Sequence, residues 1–248
     1  MRTKRLFPLL LVCVMALGSI IWATHIGFTE SSISTSADGA TSVHAVDVDG
    51  DGDMDVLSAS ISDDKIIWYE NNGSESFTEH AISTSADDAQ CVYAGDVDGD
   101  GDMDVLSASF LDNKIAWYEN DGSESFTEHV ISTSANGATS VHAADVDGDG
   151  DMDVLSASRD DDKIAWYEND GSESFTEHAI STSADAAYSV YAADVDGDGD
   201  MDVLSASKLD DKIAWYENDG SEGFTEYVIS TSADDAYSVY AADVDGDG

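Results

Sequence analysis

Basic residues are scarce in this chain. Among 248 residues there are 9 Lys and Arg against 53 Asp and Glu, which gives a formal net charge of −44. Nucleic acids and anionic membranes are bound largely through Lys and Arg, so a surface of this charge repels them. The sequence therefore predicts no nucleic acid partner, and cations are its natural ligands.

Cysteine is also rare: Cys13 and Cys91 are the two in the chain. Because Cys13 falls in an N-terminal segment with the features of a leader, a processed monomer has no disulfide framework. The chain also lacks a sustained apolar period of 3.6 residues and is dense in Gly, Asp, Ser and β-branched residues, which disfavours helices. Rigidity beyond the hydrophobic core is therefore expected to come from bound metal.

The leader, residues 1–23, runs from a basic start through an apolar stretch to Ala23, the layout of a secretory signal peptide. Cleavage after Ala23 is expected because this residue is small. An uncleaved N-terminal membrane anchor is the alternative, since the apolar run approaches the length that spans a bilayer. Apart from such an anchor we expect no membrane insertion, and we expect the protein to be secreted or displayed at the cell surface.

An acidic nonapeptide, Asp-Val-Asp-Gly-Asp-Gly-Asp-Met-Asp, recurs every 49 residues. It begins at Asp47, Asp96, Asp145 and Asp194, and a further copy starts at Asp243. A fixed period of this length indicates a stacked or radial array rather than unrelated domains. Residues 24–248 are thus predicted to form one repetitive domain, with units 35–83, 84–132, 133–181 and 182–230 and a partial unit 231–248.

Each acidic nonapeptide has the composition of a cation-binding loop. Carboxylates at positions 1, 3, 5 and 9 supply the oxygen ligands that Ca²⁺ requires, and the Gly at position 6 lets the backbone fold around the ion. Without an ion such a loop should splay, because its carboxylates repel one another. The predicted metal ligands are Asp47, Asp49, Asp51, Asp55, Asp96, Asp98, Asp100, Asp104, Asp145, Asp147, Asp149, Asp153, Asp194, Asp196, Asp198 and Asp202.

Four short strands are predicted in each unit. In unit 84–132 they are 92–96, 103–109, 114–119 and 126–132, separated by turn-forming Asn, Asp and Gly. The acidic loop joins the first strand to the second and continues into Val-Leu-Ser-Ala-Ser, which excludes the exit helix of an EF-hand. Four-stranded units of about 40–50 residues are typical of β-propeller blades. The predicted fold is therefore an all-β propeller of antiparallel blades, with one packed Trp per blade.

The strings Ala-Asp-Val-Asp-Gly-Asp-Gly-Asp-Met-Asp-Val-Leu-Ser-Ala-Ser, Lys-Ile-Ala-Trp-Tyr-Glu-Asn-Asp-Gly and Phe-Thr-Glu together resemble the FG-GAP/VCBS repeats of bacterial exported proteins, which are related to integrin α-subunit propellers. The resemblance covers residues 28–248 and implies a propeller with calcium-binding loops. Four full units with strand-like segments at 28–33 and 239–243 predict an incomplete propeller, an open arc of blades. The resemblance also implies that position 7 donates its backbone carbonyl to the ion, from Asp53, Asp102, Asp151 and Asp200.

Two sets of positions vary between otherwise nearly identical units. One precedes the third strand and contains Ile61, Phe110, Arg159 and Lys208; the other, near the first strand, includes Tyr188. Variable positions on a fixed scaffold are where contacts diversify, although drift at exposed sites produces the same pattern. We interpret the chain as an interaction or adhesion scaffold whose partner is an extracellular glycan or protein.

No enzymatic activity is predicted. The histidines recur at shared repeat positions, whereas an active site needs several different residues in one asymmetric constellation. No nucleophile elbow, Cys–His pair or zinc motif is present in the sequence. As an alternative, the chain is the non-catalytic propeller portion of a larger extracellular polysaccharide-active enzyme, and a role as spacer or oligomerising platform also stays open.

Overall fold

The computed structural model describes residues 30–246. Internal packing divides the chain into the units Met1–Ser32 and Ile33–Gly248, and all of the strands described belong to the second. The predicted signal peptide lies outside the described residues. Those residues contain no helix, so none is available among them that could cross a membrane. The all-β prediction is confirmed.

In residues 30–246, sixteen strands form four antiparallel sheets, and each sheet contains four strands that are consecutive in the chain. We number these sheets blades 1 to 4 in chain order. The strands are β1 (Ala40–Val46), β2 (Asp55–Ser60), β3 (Lys65–Asn71) and β4 (Phe77–Ser83) in blade 1; β5 (Ala89–Gly95), β6 (Asp104–Ser109), β7 (Lys114–Asn120) and β8 (Phe126–Ser132) in blade 2; β9 (Ala138–Ala144), β10 (Asp153–Ser158), β11 (Lys163–Asn169) and β12 (Phe175–Ser181) in blade 3; β13 (Ala187–Ala193), β14 (Asp202–Ser207), β15 (Lys212–Asn218) and β16 (Phe224–Ser230) in blade 4.

Each blade is a meander whose connecting loops lie at two opposite ends. The acidic loops join the first strand to the second at one end of the blade. The short connectors between the second and third strands lie at the opposite end, which we call the connector face. The first strands of successive blades contact one another, β1 with β5, β5 with β9 and β9 with β13. The blades are therefore arranged with their first strands innermost, as in a β-propeller.

The blades pack face to face through hydrophobic side chains on both surfaces of each sheet. Ile115 and Trp117 of β7 belong to the cluster shared with blade 3, whereas Ala116 and Tyr118 belong to the cluster shared with blade 1. This alternation follows from the period of two in a strand, which places successive side chains on opposite faces of the sheet. Burial of each large apolar side chain contributes about 1.5–3 kcal/mol, so these interfaces are the core of the molecule.

Aromatic rings also connect the innermost strands from blade to blade. His44, Tyr93, His142, Tyr191 and Tyr240 occupy one repeat position, and consecutive rings have centroids 4.4–4.7 Å apart. We call this series the inner aromatic stack. It adds ring-to-ring contacts to the aliphatic packing between first strands.

The structure refines the predicted strand limits. The first strand of blade 2 begins three residues before position 92, at Ala89, and the third extends one residue further, to Asn120. The loop that follows therefore spans residues 121–125, closed by a hydrogen bond from Asp121 N to Ser125 O at 3.2 Å. It is longer than the two-residue turn that an Asp-Gly pair favours.

The described residues of the two partial strands predicted on either side of the four units form no strand. Residues 239–243 contain no strand, although Val239 N donates to Ser189 Oγ at 3.3 Å and Tyr240 joins the inner aromatic stack. Residues 30–33 also contain no strand, and residues 28 and 29 lie outside the described part. A strand requires a hydrogen-bonded neighbour, and the described residues provide none at these two places.

Candidate metal centres in the acidic loops

The acidic loop of blade 2, residues 96–103, is shaped by hydrogen bonds from its own backbone to its own carboxylates. Gly101 N donates to Asp96 Oδ2 at 3.2 Å, and Asp100 N donates to Asp98 Oδ1 at 3.0 Å. Gly101 has a φ of +100°, which Gly adopts without strain. Turns of this kind are favoured by Asp and Gly, so the local sequence folds the loop back on itself.

In every blade this folding brings the carboxylates of positions 1, 3 and 9 together. One carboxylate oxygen from each of the three lies within 4.8 Å of the other two. Oxygen atoms this close can share one cation. The four groups are Asp47, Asp49 and Asp55; Asp96, Asp98 and Asp104; Asp145, Asp147 and Asp153; and Asp194, Asp196 and Asp202.

The position 9 carboxylate is the anchor of each group. Asp104 is fully buried and accepts hydrogen bonds from Asn120 N at 2.8 Å and from Val97 N at 2.9 Å. Burial raises the pKa of Asp104 to about 6, against the opposing effect of these two N–H donors and of the nearby Trp117 indole. Asp153 has the same environment, and burial raises its pKa to about 6 as well.

The position 3 carboxylates have pKa values raised in the same direction. For Asp98 the largest cause is burial, followed by repulsion from Asp100, Asp96 and Glu119, while the hydrogen bond from Asp100 N lowers the pKa. The pKa values of Asp49, Asp147 and Asp196 are raised by the same combination of burial and neighbouring carboxylates. These groups therefore lack a positive charge close to them.

A bound cation would supply the positive charge that these carboxylates lack. Asp47 Oδ1 and Asp96 Oδ1 are buried atoms without a hydrogen-bond partner. A buried carboxylate oxygen is costly unless a donor or a metal ion satisfies it. All of the convergent ligands are hard oxygen donors, which suit Mg²⁺, Mn²⁺ or Ca²⁺ rather than metals that prefer nitrogen or sulfur. Each acidic loop could thus hold a metal ion.

The predicted ligands at positions 5 and 7 lie outside the convergent groups. In blade 2 the Asp100 carboxylate accepts a hydrogen bond from Asp102 N at 2.9 Å. The Asp102 side chain extends to the loop at 121–125, where a Cβ added to Gly122 would be 2.4 Å from Asp102 Oδ2. The same two contacts recur in each loop, for the position 5 residues Asp51, Asp149 and Asp198 and the position 7 residues Asp53, Asp151 and Asp200.

Third-strand residues lie beside the carboxylate group of blade 2, supported by a fourth-strand histidine, and the sequence alone did not predict this role. In blade 2, Trp117 lies beside Asp104, and His129 stacks on Trp117 with centroids 4.6 Å apart. His129 Nε2 is 2.8 Å from Glu119 Oε2, and Glu119 is close enough to raise the pKa of Asp98. The feature that could have revealed this role is the register between β6 and β7. Val105 pairs with Tyr118, so the preceding residue, Asp104, lies opposite Glu119.

Comparison with solved structures supports the fold. A lectin from Agrocybe aegerita, described for specific recognition of non-reducing terminal N-acetylglucosamine, is 17% identical with a TM-score of 0.53, over 76% of this chain and 53% of that chain. A protein from Lactobacillus plantarum is 16% identical with a TM-score of 0.52, over 76% and 55%. A chain of the complex of BBS1N with ARL6DN is 14% identical with a TM-score of 0.55, over 79% and 58%.

These similarities concern the fold alone, because the identities are low. The chain spans little more than half the length of each of these structures, between 53% and 58%. No curated protein matches the chain. Propeller architecture is therefore shared with these proteins, and no ligand or activity is transferred by the comparison.

The family is established by the repeat itself. The sequence model of the FG-GAP-like repeat matches four overlapping stretches, residues 47–107, 97–156, 145–205 and 194–248. Each stretch begins within or at an acidic loop, and together they cover most of the chain. The predicted resemblance is confirmed, and this chain belongs to the FG-GAP-like repeat family.

Proposed function

We propose that this protein is a secreted or cell-surface propeller, braced by calcium, that acts as a non-catalytic scaffold for binding an extracellular glycan or protein. The observation that carries the proposal is that the two sets of variable positions meet on one face of the molecule. It is the connector face, at the opposite end of the blades from the acidic loops. Variation concentrated on one exposed face of a repeated scaffold is typical of a binding surface.

Calcium is the favoured ion because of the donor set. Three carboxylates converge in each loop, and we infer that the position 5 carboxylate and the position 7 carbonyl, which lie outside that group, complete the ligand set when an ion binds. Ca²⁺ accepts 6–8 oxygen ligands in flexible geometry, whereas Mg²⁺ requires a rigid octahedron and keeps more of its water. A chain that binds calcium at millimolar extracellular concentrations needs only modest affinity at each loop, and the ion then stabilises the blade.

The variable positions form a continuous series of side chains on the connector face. The guanidinium of Arg159 lies over the Phe110 ring, 4.2 Å from its centroid. Lys208 Nζ lies 5.5 Å from the centroid of Tyr188 and 4.5 Å from that of Tyr237. Aromatic rings and cations thus alternate from blade 2 to the segment that follows blade 4, where nearly identical repeats would otherwise present identical residues.

A groove of about 260 Å³ opens in this series. We call it the connector groove and define it by Arg159, Asp160, Asp185, Tyr188 and Lys208. Its lining combines carboxylates, cations and an aromatic ring, which can accept from hydroxyl groups, donate to them and stack on an apolar face. Exposed leucines border the connectors, with Leu111 63% exposed and Leu209 68% exposed.

The charge of the described residues makes the groove distinctive. Lys65, Lys114, Lys163 and Lys212 share one repeat position and form ion pairs with acidic neighbours in their own blades. Arg159 and Lys208 are the two remaining basic residues in this part of the chain, and both line the groove, where Arg159 pairs with Asp160 at 2.8 Å and Lys208 lies 3.8 Å from Asp235. A ligand on this strongly acidic molecule would therefore find cationic hydrogen-bond donors in the groove.

Binding of the full chain to an array of glycans and to extracellular proteins, in the presence of Ca²⁺, tests the proposal. Terminal N-acetylglucosamine is a suitable first probe, because the similar Agrocybe aegerita propeller recognises it. The informative variant is Arg159→Ile with Lys208→Ile and Tyr188→Thr. It gives blades 3 and 4 residues that the chain already has at these positions, Ile61 and Thr41 in blade 1. We expect binding to fall at least about tenfold with little change in thermal stability.

The matched control alters a residue at the opposite end of the blade, beside the acidic loops. Ser172→Ala, in the loop between β11 and β12, changes an exposed side chain at the acidic-loop end and should leave binding unchanged. Binding that survives the triple substitution, or that Ser172→Ala abolishes, would contradict the placement of the surface. An absence of binding to every glycan and extracellular protein would contradict the proposed scaffold function.

A further inference from the structure

A buried asparagine connects the acidic loops of adjacent blades. Asn120, the last residue of β7, is 3% exposed. Its side-chain amide donates to Val48 O of the blade 1 loop at 3.2 Å and to Met103 O of its own loop at 3.1 Å. Its backbone N–H donates to Asp104 Oδ1. One side chain therefore contacts two candidate metal loops.

The connection continues to the ligands of the neighbouring blade. Val48 lies between the ligands Asp47 and Asp49, and Val48 N donates to Asp55 Oδ2 at 3.0 Å. We number the acidic nonapeptides, including their final Asp, as loops 1 to 4 after their blades. The hydrogen bonds run from Asp104 of loop 2 through Asn120 and Val48 to Asp55 of loop 1. Val48 is 3% exposed and Asp104 is fully buried, so water competes little for these bonds.

The same connection is present at each blade interface. Asn169 donates to Val97 O at 3.0 Å, and Asn218 donates to Val146 O at 2.8 Å. Both residues also donate through their backbone N–H to the position 9 carboxylate of their own loop. The bonds therefore link all four loops into one series.

Asn71, the equivalent residue of blade 1, is the exception. It donates to Met54 O at 3.0 Å, and Asn71 N donates to Asp55 Oδ1 at 2.7 Å, as in the other blades. Among the described residues, its amide has no loop of a preceding blade to reach. Asn71 thus retains the contacts within a blade without the contact between blades, and it provides a matched control.

We propose that these asparagines couple the metal sites, so that an ion bound in one acidic loop raises the affinity of the adjacent loops; this inference rests on the proposed calcium binding. An empty loop is loosened by repulsion among its carboxylates. A bound ion draws Asp104 and its partners into one arrangement, which holds Asn120. Asn120 in turn holds the Val48 peptide, and with it the two ligands on either side, in the arrangement that binds an ion.

The coupling is reciprocal, as thermodynamic linkage requires. Each pair of adjacent loops is connected by its own asparagine: Asn120 connects loops 1 and 2, and Asn169 connects loops 2 and 3. Removing one asparagine should therefore uncouple one pair of loops and leave the other pair coupled. This expectation separates the proposal from a general loss of stability.

Site-resolved calcium titration of the ¹⁵N-labelled full chain tests the proposal. The N–H groups of Gly52 and Gly150 donate to ligands Asp47 and Asp145, at 2.9 and 3.1 Å, so their NMR signals report on loops 1 and 3. Asp98→Ala removes a ligand from loop 2. We expect it to lower the calcium affinity of loops 1 and 3 at least about fivefold, the lower end of usual coupling between sites.

Adding Asn120→Ala should abolish the effect of Asp98→Ala on loop 1 while preserving its effect on loop 3. The control, Asn71→Ala with Asp98→Ala, should preserve both effects. Thermal melts at saturating Ca²⁺ check that each variant is folded, and the comparison is a double-mutant cycle.

The proposal is overturned if Asp98→Ala leaves the titration curves of Gly52 and Gly150 unchanged, or if Asn120→Ala leaves the loop 1 effect intact. In either case calcium binding itself would stand. If no glycine signal responds to Ca²⁺ in the unmodified chain, the proposed calcium brace fails, and the coupling fails with it.

Discussion

At the scale of single residues, His142 is a titratable group buried between blades. It is 7% exposed and lies in the inner aromatic stack between Tyr93 and Tyr191. Burial lowers its pKa to about 4, with a smaller contribution from the charge of His44. The imidazole is therefore neutral in the folded protein at pH values where a solvated histidine takes up a proton.

This shift has a defined effect on stability. Because the unfolded chain binds a proton at a pKa near 6.5 and the folded chain near 4, the stability contributed by neutral His142 is present above pH 6.5 and is lost as the pH falls toward 4. The loss should reach up to about 3 kcal/mol. Urea unfolding of the full chain between pH 7 and pH 4 measures it.

His142→Tyr is the matched variant for that measurement, since Tyr occupies the same position in blades 2 and 4. It should reduce the slope of the free energy of unfolding against pH in this window, while the Asp and Glu residues contribute equally in both proteins. Identical slopes for the two proteins would show that His142 is not the group responsible.

The acidic residues themselves were predictable from the sequence, but their separate roles were not. In each loop, an Asp can bind a cation or close a turn by accepting a backbone N–H, and both roles favour the same residue type. Asp98 and Asp100 both accept turn-closing hydrogen bonds, but Asp98 also lies in the convergent group, and Asp104 is the buried anchor. That difference depends on burial, which the spacing of the residues does not contain.

At the scale of elements, each described linker between successive blades has one residue with a positive φ, which is Asp88, Gly137 or Ala186. Ala186 precedes β13 with a φ of +55°, at the position that Gly137 occupies in the preceding linker. The left-handed region costs a residue with a Cβ about 1–2 kcal/mol, whereas Gly adopts it freely. Ala186 N still donates to Asp162 Oδ1 at 2.9 Å, so the conformation is maintained.

Ala186→Gly should therefore stabilise the protein by about 1 kcal/mol, after allowance for the greater freedom of Gly in the unfolded chain. Ala187→Gly is the paired substitution at the next residue, which is buried in the cluster between blades 3 and 4 and has no positive φ. It should destabilise the protein by about 1 kcal/mol or more. Chemical denaturation of both variants measures the difference, and effects of the same sign would refute the strain.

The strands were predictable because their patterns are local, but their ends were not. Asn120 belongs to β7 since its backbone and side-chain amides are both engaged by the acidic loops, a long-range requirement. An Asn-Asp-Gly string alone favours an earlier turn. Likewise, residues 239–243 match a first strand in sequence, and they do not pair for want of a neighbouring strand among the described residues.

At the scale of the whole molecule, metal and charge determine stability together. Four acidic loops with convergent carboxylates lie on a chain of net charge −44. Removal of calcium by a chelator should lower the melting temperature by about 10 °C or more, since each occupied site adds about 2.7 kcal/mol at a hundredfold excess of ligand over its dissociation constant. Differential scanning calorimetry measures the change.

Two additions distinguish binding from screening in that experiment. NaCl at matched ionic strength screens the carboxylates without occupying a site, and should recover only part of the loss. Mg²⁺ should recover less than Ca²⁺, because it accepts a narrower range of geometries. A melting temperature that is the same with chelator and with Ca²⁺ would contradict the brace.

The overall architecture was predictable because a 49-residue period and one tryptophan per unit specify the blade and its two packed faces. The shell around each acidic loop was not, since Trp117 and Glu119 reach it through the pairing of two strands rather than through proximity in the chain. Family membership follows from the repeat, whereas a ligand depends on the few side chains in which the repeats differ.

The three interfaces between blades are built from the same positions, with Trp68, Trp117 and Trp166 each packed against the following blade. An in-frame loss or duplication of 49 codons would therefore join surfaces that already fit one another. Such a gene can lengthen or shorten its product by whole blades through unequal recombination, and relatives of this chain are expected to differ in blade count more readily than in blade structure.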